Sequence, residues 1–281
     1  MNEARSRLIL DLQRIEEEQY LLREDERIQE FITLMLQHIG DPEPALRDEL
    51  IYPTFYEWIE TQKRFTTMEL REMLMILTDE EHLLYRIGSI DDPSVFTRSF
   101  TALVIVLIIR RHRQQPFLEP EDFLNLKHSL LRYYREEKDL RGYLLEGGWA
   151  HSAAHGADAL VELVQCPESD SEVRHEVLGV IHGMLYNGQQ SFNEEEDERM
   201  ASIVDVMIKR DLLPSEDLAG WIKTLAQCAE WPRSREQTIA RVNSKNFVRC
   251  LYFRRGEGSL DESLSASLLA TEAKLNKFRY K

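Results

Sequence analysis

The sequence predicts an all-α protein: a right-handed α-solenoid of about five HEAT- or armadillo-like helical hairpins, closed by polar capping helices. Three observations predict it. Glycine and proline are scarce, at 12 and 9 in 281 residues, where an all-β chain needs many tight turns. Apolar residues recur at helical spacing, as in Leu70, Met73, Leu74 and Leu77, which places them on one helix face. An arginine also recurs near the start of every second helix, at Arg47, Arg98, Arg199 and Arg249, with His151 in the third place. That period of about 50 residues is close to the 40–47 of helical-hairpin arrays. A lone hairpin cannot bury its apolar face, so residues 1–281 are expected to stack as one continuous domain.

The elements follow in order. Helices are expected at roughly 3–18, 23–38, 43–61, 67–77, 93–111, 120–136, 149–165, 171–186, 195–210, 215–229, 234–253 and 259–276. The first and last are charged and read as the caps. Thr66 with Glu69, Ser169 with Glu172, Ser234 with Gln237 and Ser259 with Glu262 fit the capping box, in which side chains satisfy orphan N–H groups reciprocally. Asp92-Pro93, Glu119-Pro120 and Leu213-Pro214 look like helix starts, with proline where its missing N–H is harmless. The stretch from Asn246 to Phe253 also alternates like a strand, and is taken as helix because no partner strand is visible.

Composition excludes several functions. The formal net charge is −15, which repels phosphate backbones and anionic lipid. The densest basic cluster, Arg110 to Arg113, reads as a helix C-terminus complementing the dipole. No nucleic-acid or membrane partner is therefore expected, and a helical-repeat DNA-repair enzyme is disfavoured. The apolar run Ala102 to Ile109 is too short to span a bilayer and reads as buried core. Cys166, Cys228 and Cys250 are far apart, and the first residues are charged rather than apolar. Both features point to a cytoplasmic chain in a reducing compartment. No Walker loop, dinucleotide fingerprint or nucleophile elbow is present.

One segment departs from the repeat: Glu146-Gly147-Gly148-Trp149-Ala150-His151-Ser152-Ala153-Ala154-His155-Gly156-Ala157-Asp158. On a helix, His151, His155 and Asp158 would share a face, a spacing suited to metal ligands. The pattern resembles His-Glu-x-x-His, but Ser152 stands where the catalytic glutamate would be, so a zincin-type protease is a poor reading, while a metal site of another kind stays open. Small residues at this spacing equally suit close helix packing. A third reading is a ligand pocket at a helix N-terminus, with Arg98 and Arg141 as anion partners, Trp149 and Tyr143 as a stacking wall, and Glu146 on its edge. Elsewhere, Tyr52, Phe55, Tyr56 and Trp58 read as core, His182 as a core histidine, and Glu194 to Glu198 as a helix start.

Taken together, Leu46 to Tyr52, Val95 to Phe100, Glu137 to Tyr143, Gly148 to His151 with His155 and Asp158 to Leu160, Asp197 to Arg199, and Lys245 to Arg254 resemble a bacterial family known only as a domain of unknown function, typical of Gram-positive bacteria. That resemblance implies no activity. The function expected from the residues is a binding module whose face around helix 149–165 takes a protein segment or a small anionic ligand. The alternative is a metal-dependent enzyme using His151, His155 and Asp158. A divalent metal is the one cofactor left open.

Overall fold

The computed structural model describes residues 3–254 and 261–278. It is mostly helical, and among the described residues the strands are confined to one short hairpin. The sequence reading takes 1–281 as one array. The structure divides into two compact units, Met1–Glu162 and Leu163–Lys281, and each is described by itself.

The first unit opens with α1 (Glu3–Glu17) and α2 (Ile28–Gln37). The expected start at 23 fails because the backbone turns left-handed at Gln19 and Tyr20, and Arg23 and Glu26 close a turn through an Arg23 N–H to Glu26 bond of 2.9 Å. From Pro44 to Thr61 one helical run alternates in pitch: α3 (Pro44–Leu46), a π turn (Arg47–Ile51), α4 (Tyr52–Tyr56) and a second π turn (Glu57–Thr61). Phe55 and Trp58 from this run are core, as expected, while Tyr56 is exposed. Next, α5 (Thr67–Leu77) starts on the full Thr66–Glu69 capping box and buries Leu70, Met73, Leu74 and Leu77.

At the centre is α6 (Ser94–Gln114), which buries nearly all of Ala102 to Ile109. No described helix is long and apolar enough to cross a membrane. Its C-terminal cluster is satisfied locally. Arg110 and Arg113 bond Glu162, Arg111 donates to the Ile59 carbonyl at 2.8 Å, and His112 Nδ1 accepts the Phe117 and Leu118 N–H groups at 3.0 and 3.1 Å. Then come α7 (Pro120–Glu136), β1 (Tyr143–Leu144), β2 (Gly148–Trp149) and α8 (Ser152–Leu163). The helix expected from 149 therefore begins three residues later.

The second unit holds α9 (Ser171–Leu185), α10 (Glu196–Lys209), α11 (Ser215–Thr224), a 3-10 turn (Gln227–Glu230), α12 (Arg235–Phe253) and α13 (Glu262–Leu275). The stretch from Asn246 to Phe253 is helical, and the acidic run supplies the first turn of α10. Two caps differ from the boxes read in the sequence. Asp170, not Ser169, caps α9 by accepting the Val173 N–H at 3.0 Å, while Ser169 donates to the Leu163 carbonyl. Ser259 lies outside the described residues, and Asp261 caps α13 through the Leu264 N–H at 2.8 Å. Replacing Asp170 by Ala is expected to lower stability by about 1 kcal/mol in urea unfolding, whereas Ser169→Asn should leave the α9 cap intact.

Polar groups, the buried Arg241 and Asn243 and the half-buried Arg249 among them, tie this unit together. Arg241 donates to the Leu275 carbonyl at the end of α13, and Arg249 pairs with Glu272 at 2.7 Å. Asn243 accepts the Phe192 N–H and donates to the Gln190 carbonyl. His182 is half-buried and edge-on to Tyr186 at 4.3 Å, and burial lowers its pKa.

Candidate functional site

The segment between α7 and α8 is a β-hairpin, not a helix start. Tyr143 pairs with Trp149 and Leu144 with Gly148, around the turn Leu145-Glu146-Gly147. The pairing continues past the strands: Ala150 N–H donates to the Gly142 carbonyl at 2.8 Å, and His151 N–H to the Arg141 carbonyl at 3.0 Å. Two glycines make this geometry feasible. Gly148 has φ +68, and a Cβ on Gly147 would meet Phe96 Cζ at 2.6 Å. His151 itself has φ +50, so the chain swings through a left-handed residue before α8 begins at Ser152.

This corrects the placement of Trp149 and His151. Trp149 lies on β2, and His151 immediately precedes the helix rather than lying on it. His155 and Asp158 are helical, one turn and nearly two turns into α8. The two imidazoles still meet. Their ring centroids are 5.6 Å apart at 70°, and each histidine is 8% exposed. His151 also stacks on Trp149 at 4.5 Å and 22°, and Phe100 meets His155 edge-on at 5.4 Å. Asp158 is half-buried. A file of rings thus runs from the surface inward: Tyr143, Trp149, His151, His155, Phe100.

Its inner end is closed by Arg47, a residue whose part in the site the sequence reading missed. Arg47 is fully buried. Its Cζ lies 4.1 Å from the Phe96 ring centre and 4.6 Å from that of Phe100. Its guanidinium donates to the Asp41 carbonyl at 2.6 Å and to the Gly147 carbonyl at 2.7 Å, which pins the hairpin to the α3 run. Burial lowers the Arg47 pKa, with the Asp48 carboxylate at 3.3 Å acting against it. The repeat offered the only signal for this role, by marking position 47 as equivalent to 98.

The two arginines expected to bind an anion are already engaged. Arg98 meets Glu137 in a bidentate pair at 2.7 and 2.8 Å, with both side chains fully buried. Its remaining donors reach the Tyr85 carbonyl and Ser94 Oγ. Burial opposes its charge, but Glu137 overrides that and raises its pKa. Arg141 is held by Asp139 at 2.7 and 2.5 Å, a contact that raises its pKa too. Both guanidiniums hold the backbone leading to the hairpin, and their bidentate geometry is filled.

What the hairpin presents outward is apolar. Tyr143 is 51% exposed, Trp149 40% and Leu145 97%. Tyr143 and Trp149 lie edge to face at 5.0 Å, a cross-strand aromatic pair that stiffens the ribbon. Glu146 is exposed at the tip. The floor below is close-packed: a Cβ on Gly156 would meet Tyr133 and Tyr134 at 2.8 Å, and those two hydroxyls donate to the Ser152 and Ala153 carbonyls. Rigid aromatics over a packed floor suit recognition by contact, because little side-chain entropy remains to be lost.

No curated protein matches the chain, and no solved structure matches it. A family model matches residues 83–253, a stretch that runs from before α6 to the end of α12 and includes the hairpin and both imidazoles. That model covers more than half of the sequence, and the chain belongs to its family, described as "Protein of unknown function (DUF2785)".

Proposed function

We propose that the chain is a helical-repeat binding module that engages a protein partner through the hairpin Tyr143–Trp149. The observation that carries this reading is the exposed apolar trio Tyr143, Leu145 and Trp149, held on a short ribbon that Arg47 and the Arg98–Glu137 pair brace from behind. Interface hot spots are rich in such aromatic anchors. The filled guanidiniums of Arg98 and Arg141 favour a protein segment over a small anionic ligand. The right-handed solenoid of HEAT-like hairpins belongs to the same proposal. It is supported by the period near 50 and, within the first unit, by Arg47 of one helical repeat meeting Phe96 and Phe100, which flank the equivalent Arg98 of the next repeat.

A photo-crosslinking residue at Leu145, introduced in cells of the source organism, tests the reading. One discrete adduct is expected, competed by added wild-type chain but not by W149A chain. An adduct pattern equal to that from the exposed control position Met68 would refute it. The metal-dependent enzyme is the second reading. The two imidazoles meet at 5.6 Å between ring centres, but among the described residues Asp158 does not join them as a three-ligand set, so that reading rests on the histidines alone. Stoichiometric metal in untagged protein, lost in H151A and H155A, would establish that reading instead.

A further inference from the structure

A second surface, outside the hairpin, has the shape and charge of a docking groove. α1 and the α3 run face each other across a cleft of about 600 Å³, within the range of ligand-binding clefts. Its apolar lining is Ile9 and Ala45, which reach the surface, with Leu46 and Leu50 buried beneath them. Its rim is acidic. Glu16, Glu43 and Glu49 are exposed, and no described cation lies within ion-pair distance of any of them. The cation on the lining, Arg5, is held by a bidentate bond to Asp41 at 2.6 and 2.8 Å, and its field reaches Glu43 but it forms no ion pair with Glu16 or Glu49. The α1 wall extends from Arg5 to Glu16, roughly 16 Å at 1.5 Å per residue, which is the length of a three-turn helix.

We propose that this cleft docks a basic amphipathic helix of a partner protein, its apolar side on Ile9 and Ala45 and its lysines or arginines against Glu16, Glu43 and Glu49. Apolar anchors at i, i+3, i+4 and i+7 are how such helices seat in grooves. Charge selects among occupants. A chain of net charge −15 attracts a cationic segment at long range, whereas a second copy of itself or an anionic lipid surface is repelled. The cleft contains none of the hairpin residues, so the two readings are tested by different variants.

The test uses the full chain and a fluorescein-labelled 14-residue probe with leucines at helical spacing on one face and lysines on the other. Fluorescence anisotropy should show saturable binding. The E43K/E49K variant, checked for native far-UV circular dichroism, should weaken it at least tenfold, and I9D should do the same. The matched charge change E216K/E230K, on the second unit, should alter it less than twofold. Three results would overturn the proposal. One is equal binding of a probe with serine in place of leucine, which means charge alone. Another is equal loss in E216K/E230K, which means diffuse attraction. The third is a dimer by sedimentation that E43K/E49K disperses, which makes the occupant a second copy.

Discussion

Replacing Arg98 by Met is expected to lower stability by about 4 kcal/mol, because it strands the Glu137 carboxylate in a fully buried place. For a body of this size that corresponds to a fall of about 10 °C in melting temperature. Glu137→Met should be comparably harmful, since it strands the guanidinium. The double variant R98M/E137M should be more stable than either single, because two apolar side chains replace the pair without leaving a lone charge. Urea unfolding followed by circular dichroism measures all three. A double variant as damaged as the sum of the singles would show no coupling between the two residues, each acting through its other contacts.

The second large effect is at Arg47. Arg47→Met removes the donors that reach the Asp41 and Gly147 carbonyls, and each buried acceptor left without a partner costs about 1–3 kcal/mol. Loss of the stack on Phe96 and Phe100 adds to this. A total near 4 kcal/mol is expected, with a local signature. In protein labelled with fluorotryptophan, the Trp149 resonance should shift and broaden while those of Trp221 and Trp231 in the second unit stay in place. Arg47→Lys should not rescue, because an ammonium cannot span two carbonyls on opposite sides as the planar fork does. An unmoved Trp149 resonance would mean that the hairpin stands without its brace.

Most helices were legible because their signals are local. Thr66 and Glu69 are three residues apart and form the box they encode. Ala153, Ala157, Leu160, Leu163 and Val164 recur at helical spacing and are all buried. The hairpin was misread because Gly147-Gly148 was taken as the approach to a helix. The alternative signal was also present, in the apolar Tyr143-Leu144 followed by a short glycine-containing turn and an aromatic residue. The partners of Arg98 and Arg47 were not legible. Glu137 is 39 residues from Arg98 and Gly147 is 100 from Arg47, and side-chain spacing along one helix says nothing about such pairs. The π turns likewise depend on what the run packs against.

The bond from Arg47 to Gly147 closes a loop of 100 residues. Bringing such ends together costs about 4 kcal/mol of chain entropy, growing only slowly with length. During synthesis the guanidinium is made long before its acceptor, so Phe96 and Phe100 meet a cation whose hairpin has not yet arrived. Seating of the ribbon is therefore expected among the late steps of folding, and release of the ribbon among the early steps of unfolding. The surface offered to a partner would then serve as a readout of whether the rest of its unit has assembled.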